Sequence, residues 1–220
     1  MNWGLLLLVL GVGLAAALLV ALWPYLHPES PLWARQRLAE VVRTWEQVRD
    51  LEAHLVILRP GEPRLAARLL YLSGAAVRLE IEEPPELAGE VYTLRPVEGG
   101  WLLVHFRPAL ALGLERRIAP QELQALWPLA PGGPAEVRWI QDAAFVLRPA
   151  QGPFAEVEVH LEGELRLPTR VLLRAAEGGS VEVRAAVRGV NRGLELRELL
   201  SLDPFPTRWI RIPALPAPGA

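Results

Sequence analysis

From about Leu55 to Val187 the chain alternates apolar and polar residues with period two, and glycine pairs interrupt the alternation; no other feature constrains the fold as much. Residues 165–187, LRLPTRVLLRAAEGGSVEVRAAV, are the clearest instance. Successive side chains of a strand point to opposite faces, so Val171, Leu173 and Ala175 share one face. Val181, Val183 and Ala185 lie on the face that meets them across a Glu177-Gly178-Gly179 turn. The same reading makes Val77, Leu79 and Ile81 one face of a strand whose other face carries Arg78, Glu80 and Glu82. It pairs residues 91–95 with 101–106 about a Glu98-Gly99-Gly100 turn, and predicts further strands at 136–140, 143–147, 154–162 and 209–212.

Helical spacing is confined to few places. Leu38, Val41, Val42, Trp45, Val48 and Leu51 recur on one stripe of residues 32–51, which predicts one amphipathic helix, and Pro120 opens a possible short helix over 120–126. Many hairpins with few helices predict a mainly β (α+β) fold. The expected architecture is a strongly curved antiparallel sheet, an incomplete β-barrel covered by helices, with its concave side either covered or left as an apolar groove.

Residues 4–23, GLLLLVLGVGLAAALLVALW, form an apolar run of the length that crosses a bilayer as a helix, and no Asp, Glu, Lys or Arg occurs before Glu29. Trp3, Trp23 and Tyr25 flank it, where aromatic rings favour the headgroup level. The run is therefore expected to be an N-terminal transmembrane anchor. A cleaved signal peptide is the competing reading, because Ala15-Ala16-Ala17 offers small residues to a signal peptidase. The Gly11-Val-Gly13-Leu-Ala-Ala16 match to a dinucleotide-binding fingerprint lies inside this run and lacks the strand–turn–helix context, so it reads as small-residue helix packing. The chain thus divides into an anchor (or signal) with a Pro-containing linker over 1–31, a curved-sheet domain over 32–212, and a Pro-rich tail over 213–220.

Composition removes several functions. All 23 basic residues are Arg, scattered among acids at a net charge of -2, so there is no basic stripe for nucleic acid. With no Cys there is no thiolate metal site, no iron–sulfur cluster and no lipid-modified cysteine. None of the serines at 30, 73, 180 and 201 sits in a Gly-x-Ser-x-Gly elbow. Glu156, Glu158, His160 and Glu162 share a strand face at steps of about 6.6 Å, which suits a solvated face better than a metal site. His27, His54 and His105 are scattered, with no acidic partner at a useful spacing, and read as surface or linker residues; Glu82-Glu83-Pro84-Pro85 reads as an acidic loop. No enzyme activity and no cofactor are expected.

The C-terminal third then carries an ordered set of short motifs. Val157-Glu-Val-His-Leu-Glu is followed by Leu167-Pro168-Thr-Arg-Val-Leu-Leu, a Gly-Gly turn, Val181-Glu-Val-Arg and Val190-Asn191-Arg-Gly193-Leu194. This order, with the helix over 32–51 and the Glu83-Pro84-Pro85 segment after a charged strand, resembles the lipoprotein-carrier superfamily (LolA/LolB-like). The resemblance implies an incomplete antiparallel barrel lidded by helices, whose apolar cavity takes acyl chains of lipids or lipoproteins. It also implies a place outside the cytoplasm, although Arg35, Arg37 and Arg43 after the apolar run would by themselves favour a cytoplasmic domain. The departures are the anchor and the missing cysteine, which point to a bacterial inner-membrane, single-pass relative with a periplasmic domain. Cavity candidates are Trp45, Trp101, Phe106, Trp139, Val157, Val159 and Leu161. The alternative is a structural or regulatory subunit of an envelope assembly that binds a protein partner through a sheet edge or helix face.

Overall fold

The computed structural model describes residues 31–119, 136–149 and 154–212. The expected anchor with Trp3, Trp23 and Tyr25, the short helix over 120–126 and the tail lie outside them. Among the described residues no helix is long and apolar enough to cross a membrane.

The chain opens with helix α1 (Pro31–Trp45), then strands β1 (Asp50–Leu58), β2 (Leu65–Leu72), β3 (Ala76–Glu83), β4 (Val91–Val97), β5 (Gly100–Arg107) and β6 (Leu112–Ile118). These are followed by β7 (Glu136–Gln141), β8 (Ala144–Arg148), β9 (Phe154–Glu162), β10 (Leu167–Ala175), β11 (Ser180–Val190), helix α2 (Leu196–Leu200) and β12 (Arg208–Ile212). All twelve strands form one curved open sheet in the order β12-β6-β5-β4-β3-β2-β1-β11-β10-β9-β8-β7. Two antiparallel meanders, β1 to β6 and β7 to β11, are thus sewn together by the single pairing of β1 with β11, while β12 adds to β6 in parallel.

Registers give each face of this sheet its own chemistry. Ile57, Val183, Val171, Val159, Phe145 and Trp139 stand opposite one another along five successive pairings and so point to the same side. α1 packs on that side. Pro31 begins the helix, where a missing N–H costs nothing, and the buried Ala34, Leu38 and Val41 form its apolar stripe. They close a core with Val137, Phe145, Leu147, Val157, Val159 and Leu161. Polar contacts fix the angle: the Trp45 indole donates to the Arg166 carbonyl at 2.8 Å and the Trp139 indole to the Ala34 carbonyl at 3.0 Å. The Arg37 guanidinium lies 5.0 Å from the Trp33 ring and 4.4 Å from the Trp139 ring, a double cation–π contact that is continued by its 2.7 Å bond to the Asp142 carbonyl.

The predicted helix over 32–51 is corrected at its C-terminal end, because Trp45 ends the helix and Asp50 already belongs to β1. Val48 and Leu51 fit a helical stripe, but a tertiary clamp takes the chain away from it. The Asn191 side chain accepts hydrogen bonds from the backbone N–H of Arg49 (2.6 Å) and Asp50 (3.4 Å) and donates to the Gln47 carbonyl at 3.2 Å. The buried Asp50 carboxylate in turn accepts the N–H groups of Arg192 and Gly193 at 2.8 and 2.9 Å. Asn191 adopts a left-handed φ of 54°, which its short polar side chain tolerates. The Val-Asn-x-Gly segment is therefore the clasp of the β1–β11 seam.

A second helix, over 196–200, is one that the sequence reading does not name. α2 docks on the opposite side, where Leu199 is fully buried against Leu70 and Ala76. The reason is a buried cation: the Arg78 guanidinium donates to the carbonyls of Leu199 and Ser201, the hydroxyl of Thr93 donates to the same Leu199 carbonyl, and a positive group suits a helix C-terminus. Toward the β9–β11 end this second side is ionic. Glu156 and Glu158 pair with Arg174, Glu158 with His160 at 2.7 Å, and Glu182 with Arg170 and Arg184 at 2.7 and 2.8 Å.

Candidate functional site

Away from α1, the side on which that helix sits remains apolar but only half-covered. Leu55 and Ile57 of β1, Leu65 and Leu69 of β2, Leu79 of β3, Leu94 of β4, Leu103 of β5, and Val181 and Val183 of β11 share this side by register, and all are of intermediate exposure. An ordinary core would bury them. At the end of the sheet where β1 turns into β2, the face deepens into a cleft of about 280 Å³ lined by Ile57, Leu65, Pro63, Pro84, Leu87 and Val181, with Arg59 and Glu62 at its wall. This approaches the lower bound of about 300 Å³ for small-molecule sites. The loop after β3 supplies one wall and the β1–β2 turn the other. Arg59 and Glu62 hold one another at 2.9 Å and Arg64 pairs with Glu83 at 3.3 Å, so the rim is charged but internally balanced.

Next to this loop, at the start of β4, a polar cluster interrupts the apolar face. Glu90 is buried, and its carboxylate meets His105 Nε2 at 2.8 Å, Arg107 Nε at 2.9 Å and the Tyr92 hydroxyl, which donates at 3.3 Å. The Tyr92 and His105 rings stack with centroids 4.1 Å apart. Burial alone would raise the Glu90 carboxyl, but the hydrogen bonds and charges of His105 and Arg107 outweigh it and hold the group below its ordinary 4.5. Burial and the Glu90 charge together push the Tyr92 phenol up. This corrects the reading of His105 and His54 as residues without acidic partners, since His54 also meets Glu82 at 2.9 Å. The partners are distant in sequence and arrive through strand register.

A carboxyl lowered in the folded state contributes stability above its unfolded pKa, and this is lost as pH falls through the folded value. Acid unfolding of the protein, followed by circular dichroism below about pH 4.5, is therefore expected to be less steep in Glu90→Gln than in the parent. Some dependence remains in the variant. Glu158, lowered mainly by its bond from His160, and Glu182, lowered by Arg184 and Arg170, titrate in the same window.

The seven cavity candidates separate. Val157, Val159 and Leu161 lie inside the core beneath α1, with Trp45 and Trp139 packed against it. Trp101 is half-buried on the α1 side of β5, opposite Ile118, seven strands away from β9 in the sheet. Phe106 points to the other side of the sheet and is buried there. The cleft residues Ile57, Leu65, Pro84, Leu87 and Val181 are not among the candidates; their one sequence signal is the pair of prolines after β3, beside a strand end. Among the described residues no group of three or more His, Asp or Glu could hold a metal ion, and Glu156, Glu158 and His160 are engaged in the ion pairs above.

No protein-family model matches the chain, and no curated protein does. Solved structures do resemble it. An uncharacterized conserved protein from Thermus thermophilus aligns with a TM-score of 0.56 at 14% identity over 80% of this chain and 99% of that one, and shows that the fold is shared. A putative outer membrane lipoprotein-sorting protein domain from Vibrio parahaemolyticus aligns at 0.43 and 12% identity, over 73% of this chain and 95% of its own. A LolA-superfamily protein from Nitrosomonas europaea aligns at 0.42 and 11% identity, covering 74% and 97% of the two chains.

Proposed function

We propose that this protein binds an acyl chain, of a lipid or a lipoprotein, on the half-covered apolar face and in the cleft at its end. The observation that carries the reading is the mismatch between the two sides of one sheet. Toward β9–β11 the ionic side is satisfied by cross-strand pairs, whereas the other presents Leu, Ile and Val on β1–β5 and β11, interrupted by the Glu90 cluster, that α1 covers only near β7–β9. Leaving such a surface half-wet has a cost that a hydrocarbon ligand would remove at about 0.8 kcal/mol per methylene. The balanced ion pairs of the rim leave no strong preference for the charge of the attached headgroup. With residues 4–23 as a membrane anchor, the domain would stand on the extracytoplasmic side as a carrier or sensor without a catalytic step.

Retention of a fluorescent fatty acid by the detergent-purified full chain tests this. Val181→Trp fills the cleft with a ring that takes the place of roughly three methylenes, so affinity is expected to fall about fifty-fold. Because Val181 is only half-buried, the melting temperature should move little. No retention by the parent chain, or equal retention by the variant, would remove the cleft from consideration.

A further inference from the structure

The sheet has an unfinished edge at β12. Among the described residues it pairs with β6 alone, all five of its own residues are exposed, and Trp209, Ile210 and Ile212 are 40%, 46% and 44% exposed. Edge strands usually avoid such apolar exposure, because unpaired N–H and C=O groups beside greasy side chains recruit another strand. The order of residues, Arg208-Trp209-Ile210-Arg211-Ile212, further says which strand fits.

We infer that β12 pairs antiparallel with β12 of a second copy of this chain, in the register that sets Ile210 opposite Ile210. In that register Trp209 stands opposite Arg211 of the other copy, and Arg208 opposite Ile212. No arginine meets an arginine. Trp209 and Arg211 project to one side of the sheet; there the Trp209 ring already lies over Gly113, so close that a Cβ at 113 would stand 2.6 Å from it. The Phe205 ring is tilted against it with centroids 6.2 Å apart, and Trp209 keeps 40% of its surface exposed, which is what a guanidinium would meet. Arg211 is 89% exposed in its side chain, and among the described residues its ion pair is a 3.4 Å contact to Glu115, which leaves it able to reach the ring. Ile210 and Ile212 of both copies make a short apolar stripe on the other side. Shifting the register by two residues brings Arg211 opposite Arg211 or Trp209 opposite Trp209 and loses the cation–π pairs. Both copies use the same patch, so the contact closes after two chains and joins the two sheets edge to edge. Five residues a side is small beside the interfaces of permanent dimers, which makes this a dimer of concentrated or membrane-confined protein.

The chain has no cysteine, so single substitutions report on the contact directly. Full-length chains carrying Arg208→Cys, Trp209→Cys, Ile210→Cys, Arg211→Cys or Ile212→Cys, in detergent micelles, are oxidised and resolved without reductant. Residues paired across a two-fold axis lie within disulfide reach, whereas positions 208 and 212 stand about 13 Å from their own copies, so Ile210→Cys should give on the order of tenfold more covalent dimer than either. Each of the five side chains is exposed, so none of the substitutions removes core, and matching thermal melts would verify this. In the reduced state, Ile210→Arg should abolish the dimer seen by light scattering at high concentration. A uniformly weak profile, a maximum at another position, or a parent chain that stays monomeric would overturn the inference, including the case in which this edge takes a strand of a different protein.

Discussion

Phe145→Ala is expected to destabilise the protein by about 4 kcal/mol, lowering its melting temperature by roughly 8–16 °C for a domain of this size. Phe145 has no exposed surface and sits at the centre of the α1 core, opposite Val159 across β8–β9 and beside Trp139, whose ring centroid is 5.1 Å away. A cavity there cannot collapse easily. Its walls are strand backbone below and α1 above, and α1 is itself pinned by the Trp45 and Trp139 indoles and by Arg37. Thermal denaturation checks the number. Phe145→Leu, which keeps most of the volume, should lose less than half as much, and similar losses in both variants would show that the ring does not anchor this core.

Asp50→Ala is expected to lose about 2 kcal/mol, because the backbone N–H groups of Arg192 and Gly193 lose the acceptor that the buried Asp50 carboxylate supplies, and with both residues themselves exposed each loss stays near the lower end of about 1–3 kcal/mol. The effect should exceed that of any surface ion pair in the protein, such as Arg59–Glu62, whose expected contribution is below about 1 kcal/mol. It should also be localised. The β1–β11 pairing is what joins the two meanders, so hydrogen exchange at Leu51, Ala53, Val187 and Val190 should accelerate more than exchange in β4–β5. Asp50→Asn retains one acceptor oxygen and should recover part of the loss. Even slowing of exchange across the sheet, or no change at the seam, would show that the clasp is incidental.

The strands of the second meander were legible because each of its hairpins is a local event. The quoted stretch pairs Val171 with Val183 and Leu173 with Val181 as its alternation required, about a glycine pair that accepts positive φ at 178 and 179. β6 and α2 were not legible. Leu112–Ile118 spends its alternation on Gly113 and on arginines, and five residues of helix have too short a period to register; α2 exists because Arg78 and Thr93 bind its carbonyls. Helix α1 is shorter than the apolar stripe over 32–51 for a similar reason, since the Asn191 side chain that holds the chain beyond it comes from the far end of the domain. The cavity candidates are large or alternating apolar residues, and such residues fill cores first: five of the seven lie beneath or beside α1.

By itself the sequence determined that this chain is β-rich, where most of its hairpins turn, and which faces of its strands are greasy, because periodicity and turn chemistry act over a few residues. Only the tertiary structure decided that β1 joins β11, that α1 and α2 take opposite sides, and that a carboxylate at 90 finds a histidine and an arginine on the neighbouring strand. Those outcomes depend on register between segments far apart in the chain, and register is set by the whole sheet closing at once.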